Sequence, residues 1–242
     1  MIRSSFRIAP GVGPWLEARL WESGVRSWDD LDAGGAPAPG LPAALDARLR
    51  AAVARARAAL AAGDAETLAA MLPRNERWRL YGAFGEHAAF LDVEADGDAL
   101  TAVGFLDARG PQILLAGRDL ERFPEEARGW KLLVTFNGLS FDVPVLRRAF
   151  RGWRPPRAHV DLRHLWARLG HEGGLKLLEA ETGVGRPARL AGLAGGDAVN
   201  LRTLMDLGYN RMIERLRLPA DPVPVRERGD VAYDVTKLLL SL

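Results

Sequence analysis

Between Ala88 and Ala116 the chain alternates apolar runs with polar turns at a spacing that suits strands. Ala88–Ala95 is apolar except at Asp92 and Glu94, Leu100–Leu106 follows the turn Asp96-Gly97-Asp98, and Gln112–Ala116 follows Arg109-Gly110. This pattern predicts three strands joined by hairpin turns. A polar helical stretch over 119–128 comes next, and then the apolar run Lys131–Phe136, suited to a buried parallel strand. Ser140 is a candidate N-cap for a further helix that buries Leu146 and Phe150.

Upstream the period changes. Leu45, Leu49, Val53, Ala56 and Leu60 form one stripe of a helix expected over 42–62, and Leu68–Leu72 forms a shorter one closed by Pro73. Nearer the N-terminus, Leu16, Leu20 and Trp21 predict a helix that Gly24 ends before a second begins near Ser27. The Pro- and Gly-rich run from Ala33 to Gly40 connects these helices to the long one. The expected organisation is an all-α domain over residues 1–75 and an α/β domain over 76–242, with a mixed sheet in the order β-β-β-α-β-α.

Composition narrows the setting. The chain lacks cysteine, which excludes disulfides and thiolate metal sites. No apolar stretch reaches the length of a membrane span, and the first residues lack the apolar core of a signal peptide, so a cytoplasmic protein is expected. The formal net charge is +2, and only Lys131, Lys176 and Lys237 are lysines among 33 basic residues. Arginine suits bidentate phosphate recognition and is compatible with a nucleic-acid partner. The alanine and glycine excess makes genome composition the simpler cause of the bias. A solvated face is the default for Arg48, Arg50, Arg55 and Arg57 on the long helix.

The chemistry centres on carboxylates. On a strand, Asp92 and Glu94 point to the same face of an otherwise apolar segment, where an oxygen-liganded divalent cation would offset their charge. Asn137 and Asp142 stand at the C-terminal mouth of the fourth strand, where α/β sheets place ligands. Gly11 and Gly13 bracket Val12 ahead of an apolar helix, a turn that suits either plain packing or presentation of backbone N–H groups to a phosphate. His159 and His164 are assigned ordinary polar or packing roles.

The run from Phe90 to about Leu178 resembles the exonuclease branch of the ribonuclease H-like superfamily that uses D-E-D-D metal ligands, most closely the bacterial YprB-type exonuclease-like domains. The motifs are Leu91-Asp92-Val93-Glu94, then Thr135-Phe136-Asn137-Gly138 with Phe141-Asp142-x-Pro144, then His159-Val160-Asp161-Leu162, and Gly173-Gly174-Leu175-Lys176. The N-terminal glycine turn resembles a helix-hairpin-helix motif. The resemblance implies a ribonuclease H-like fold and hydrolysis of phosphodiester bonds from the 3′ end of DNA or RNA by two Mg²⁺ or Mn²⁺ ions. Asp92 would bridge the ions, Glu94 and Asp142 would each serve one, Asn137 would orient substrate, and Gly11 and Gly13 would grip the backbone. Asp161 suits a structural or a functional role equally.

The third motif of that branch, Tyr-Asn-x-x-Asp, is incomplete. Asp197 before an apolar helix is the first candidate for the fourth acid, but Leu193 stands four residues upstream, in what the glycines predict to be a loop over 191–196. Asp234 ranks second. Tyr209-Asn210 keeps the Tyr-Asn pair but has Ile213 where the ligand belongs. The alternative is therefore a nucleic-acid-binding protein of the same fold with impaired catalysis.

Overall fold

The computed structural model describes residues 1–34, 37–185, 194–218 and 220–226. Four helices open the chain: α1 (Pro14–Glu22), α2 (Trp28–Ala33), α3 (Ala43–Ala61) and α4 (Ala65–Met71). Local chemistry sets their ends. Pro14 occupies the first turn of α1, and the Ser27 and Asp64 side chains accept the N–H of Asp30 and Thr67 at the starts of α2 and α4. Arg50 bonds Asp46 and the Leu31 carbonyl, while Arg57 pairs with Asp29 and Asp32. Two of the α3 arginines thus clamp α2 to α3.

A 3-10 turn, Arg74–Leu80, and the short α5 (Tyr81–Phe84) lead into the sheet. Its strands are β1 (Ala88–Asp96), β2 (Ala99–Asp107), β3 (Gly110–Leu115), β4 (Leu132–Thr135) and β5 (His159–Asp161), in spatial order β3-β2-β1-β4-β5. The hairpin pairs are antiparallel, whereas β1–β4 and β4–β5 are parallel. Helix α6 (Phe123–Glu126) precedes β4, α7 (Asp142–Ala149) follows it, and α8 (Leu162–Arg168), α9 (Leu175–Thr182) and α10 (Ala194–Leu216) complete the described helices. This is the mixed α/β sheet that the hydrophobic pattern predicted, flanked by helices.

Alternation along the strands builds two apolar layers. Ala89, Leu91 and Val93 of β1 pack with Phe105, Phe123, Val143 and Leu146 on the α6 and α7 side. Ala88 and Phe90 face the other way, into a larger cluster with Val199, Leu201, Leu204 and Met205 of α10. That larger cluster is continuous with Phe6, Trp28, Leu49 and Leu68 of the N-terminal helices. A buried ionic network adds to the same junction. Arg79 reaches both oxygens of Glu17 at 2.9 and 2.8 Å and Glu76 at 2.7 Å, and Glu76 also receives Arg7 and Arg168.

Sequence and structure part at the start of α10. Ala194–Gly196 were expected in a loop, yet they begin the helix. Isolated glycine propensity opposes this, but burial of Ala198, Val199 and Leu201 in the residues that follow outweighs a cost of about 1 kcal/mol per glycine. The rest of that expected loop, and Asp234, lie outside the described residues.

Close approach fixes one glycine beside α10. A Cβ added to Gly82 would stand 2.2 Å from the Tyr209 hydroxyl oxygen. Gly82→Ala is expected to lower stability by about 1–3 kcal/mol, as a shift of the urea midpoint at unchanged slope.

Candidate active site

The reversal of strand order at β1 and β4 places their C-terminal ends side by side, the position where open α/β sheets leave a crevice. β1 carries Asp92 and Glu94 toward that end. By strict alternation they continue the face of Ala88 and Phe90, toward α10. The register with β2 shifts between Glu94 and Ala95, where Thr101 of β2 is passed over, and pairing resumes at Ala95 with Leu100. Asp197 lies in the first turn of α10. Partial burial raises the Glu94 carboxyl above its ordinary value, and the negative charge of Asp197 adds to the rise. The two acids are therefore electrostatic neighbours.

Asp142 arrives from the other layer, as the first residue of α7. Pairing of β1 with β4 ends at Phe90 and Val134. Val93 lies beyond it, and Asp142 Oδ1 accepts the Val93 N–H at 3.1 Å. The carboxylate completes the strand edge between Asp92 and Glu94. Asp142 is only 3% exposed. Burial lifts its carboxyl to about 7, against the pull of the backbone N–H groups of Asp142 and Val93, and the charges of Asp161 and Glu94 add to the rise.

Asp161 organises the turn that delivers Asp142. Its Oδ1 accepts the Asn137 N–H at 2.8 Å and the Arg163 N–H at 3.1 Å, and its Oδ2 accepts the Leu139 N–H at 3.2 Å. One side chain thus caps α8 and pins the β4–α7 turn. Asn137 holds a left-handed backbone, φ 62°, and its side-chain oxygen accepts from Arg163 at 2.8 Å. Gly138 is held by close approach, since a Cβ would stand 2.3 Å from Thr135 Oγ1. Thr135 in turn meets His159 Nε2 at 2.9 Å. Burial lowers His159 to about 4, which keeps it neutral and in a packing role. His164 is exposed on α8.

The glycine turn at the N-terminus has the expected local form. Gly11 has φ 95°, Gly13 caps α1, and Gly24, φ 92°, separates α1 from α2. A Cβ on Gly11 would meet Leu45 Cδ1 at 3.3 Å, so the turn packs on the start of α3. Trp15 stands 66% exposed beside it, with the Arg19 guanidinium 4.9 Å from its ring centre.

Tyr209 sits elsewhere. It is buried between Trp78 and Tyr81, and Asn210 exchanges hydrogen bonds with the backbone of Val223. At about 1.5 Å per residue, Tyr209 is roughly 18 Å along α10 from Asp197. Tyr209 and Asn210 hold the core and the C-terminal segment together.

Residues 89–206 match the family model RNase_H_2, described as RNase_H superfamily. The match runs from β1 into α10 and takes in Asp92, Glu94, Asp142 and Asp197, leaving residues 1–88 and 207–242 outside it. No curated protein and no solved structure matches the chain significantly. A ribonuclease H-like segment points to nuclease-type chemistry on nucleic acid, and such nucleases usually use divalent metals.

The donor set suits a hard divalent cation in one respect and not in another. All four candidate acids offer oxygen, and burial, with neighbouring negative charge adding to it, already raises Glu94 and Asp142. Among the described residues, however, no three acidic, histidine or cysteine side chains stand close enough to hold a metal ion together. The helices described include none long and apolar enough to cross a membrane.

Proposed function

We propose that the chain is a divalent-metal-dependent 3′–5′ exonuclease acting on DNA or RNA. The observation that carries this reading is the buried Asp142 carboxylate on the Val93 N–H, set between Asp92 and Glu94 on the strand edge. A structural acid in that place would be better replaced by a neutral amide, because its ionised form is costly there. Mg²⁺ or Mn²⁺, held by Asp92, Glu94, Asp142 and Asp197, would supply Lewis acidity and a water of lowered pKa. Above about pH 7 Asp142 is ionised and able to serve as a ligand. Asp161 and Gly138 keep the turn fixed so that Asp142 meets the strand. Asn137, held by Arg163, lies beside the crevice to orient substrate, while the Gly11–Gly13 turn with exposed Trp15 offers the backbone grip of a helix-hairpin-helix element.

A second reading has its own support. The acids do not converge on one point among the described residues, and no tyrosine lies within a turn of Asp197. On this reading the protein binds nucleic acid without cleaving it.

One experiment separates the two. The protein is incubated with single strands labelled at the 3′ or 5′ end in Mg²⁺, Mn²⁺ or EDTA. The nuclease reading expects mononucleotide-spaced shortening from the 3′ end, abolished by EDTA and lowered at least about 10³-fold by Asp92→Asn, in line with losses for a removed transition-state contact. Salt-sensitive binding without shortening supports the second reading. Shortening that survives Asp92→Asn overturns the assignment of the acids. Trp15→Ala is expected to weaken single-strand binding several-fold at unchanged melting temperature, checked by fluorescence anisotropy.

A further inference from the structure

A cavity of about 720 Å³ is lined by α7, the 3-10 turn ahead of the sheet and the loop before β5. Leu139 and Val143, which bracket Asp142 in the chain, form part of its wall. Five arginines line it and no acid does: Arg74 and Arg77 from the 3-10 turn ahead of the sheet, Arg147 and Arg148 from the end of α7, and Arg157 from the loop before β5. These come from three separate segments. Their meeting is a property of the fold rather than of any basic run in the chain.

Their charges are poorly compensated. Among the described residues, no carboxylate pairs with Arg74, Arg77 or Arg147, whereas Arg148 and Arg157 have only exposed partners, Asp98 at 3.4 Å and Glu66 at 4.0 Å. Burial, followed by the charges of Arg74 and Arg157, pushes the Arg77 guanidinium below its ordinary value, and the charge of Glu66 opposes this only in part. Five cations around one hollow repel each other unless an anion enters. Guanidinium forks match phosphate oxygens bidentately, and the cavity volume falls within the range of small-ligand sites, roughly 300–1,000 Å³. That size suits one or two nucleotides of a single strand.

We infer that this cavity is a phosphate-binding track, taking consecutive phosphates of the single nucleic-acid strand whose neighbouring bond lies at Asp142. It rests on the nuclease or binding reading above for the choice of anion. The track joins the N-terminal helical segment, through Arg74 and Arg77, to the ribonuclease H-like segment. Pro144, Pro155 and Pro156 also line it and add stiff apolar surface.

The test is equilibrium binding of a fluorescent twelve-nucleotide single strand in EDTA, across roughly 50–200 mM salt. Arg74→Ala with Arg147→Ala removes two cations that support no described contact, so the fold should keep its melting temperature. The expected result is at least a tenfold loss of affinity, with the salt slope smaller by about 1.4 for two lost phosphate contacts on a single strand. Arg128→Ala, on an exposed pair with Glu125 outside the cavity, should change neither. Unchanged affinity and slope in the double variant overturn the track. A wild-type chain that fails to bind the strand overturns it as well. In either case, metal-dependent cleavage lost in Asp92→Asn would leave the nuclease reading standing on its own.

Discussion

Asp142→Asn is expected to raise the thermal midpoint at about pH 8 and to flatten the dependence of stability on pH between about 4 and 7. The sign follows from proton linkage. In the unfolded chain an aspartate titrates near its ordinary value, about 3.9, while in the fold burial holds Asp142 at about 7. The folded state therefore binds more protons across that window, and stability falls as pH rises through it. Below about pH 4 both states are protonated and the penalty vanishes. Above about pH 7 it is complete, with an upper bound on the order of 4 kcal/mol at about 1.4 kcal/mol per unit. Asparagine keeps a side-chain oxygen for the Val93 N–H and carries no charge. A gain of about 2–4 kcal/mol at pH 8 is expected, or roughly 5–10 °C for a chain of this size. Nuclease activity should be lost in the same variant. Thermal melts from pH 4 to 8 on both proteins check it, and a wild-type profile that is flat over this range would remove the basis for treating Asp142 as a strained acid.

Arg79→Met carries the largest expected loss of stability, about 3–5 kcal/mol. Arg79 is 2% exposed and is the shared partner of two carboxylates that are as buried as it is. Removing it leaves Glu76 with Arg7 and Arg168. Glu17 keeps only neutral donors, chiefly the Phe6 N–H at 2.8 Å. The cost should therefore fall mainly on Glu17. Adding Glu17→Gln to Arg79→Met should recover part of it, because an uncharged amide tolerates the same site. Urea unfolding of the single and double variants reads this directly. Equal losses in the two would show that packing, not the stranded charge, dominates. The network spans the N-terminal segment around Arg7, α1, the turn before the sheet and α8, so its loss is expected to loosen the helical segment from the sheet.

The legible parts of the fold were those with local signals. Alternation and the Asp96-Gly97-Asp98 and Arg109-Gly110 turns marked β1 to β3, and the Leu45–Leu60 stripe marked α3 within a residue or so at each end. The glycines of Ala194–Gly196 misled, because propensity is local while the burial that overrides it comes from β1 and β2 across the core. Asp92, Glu94 and Asp142 were legible as motifs. Their relation was not, since the Val93 N–H is free for Asp142 only because β4 stops at Thr135. Asp161 was recognisable as an acid at a strand end, but its three backbone donors come from two turns brought together in space. Arg163, which holds Asn137, and the five cavity arginines carry no local signal for the same reason. Arg147-Arg148 at the end of an amphipathic helix was the one visible hint.

On the proposed function, the carboxylates at the end of β1 gather a divalent cation, although among the described residues no three of them stand together. Calorimetric titration with Mn²⁺ at about pH 8 tests this most directly, with Asp92→Asn and Asp142→Asn alongside. The predicted result is saturable binding to the wild-type chain, lost in both variants and weakening as pH falls below about 7, where Asp142 must first shed its proton. Absence of saturable heat at pH 8, or binding that both variants retain, would contradict it.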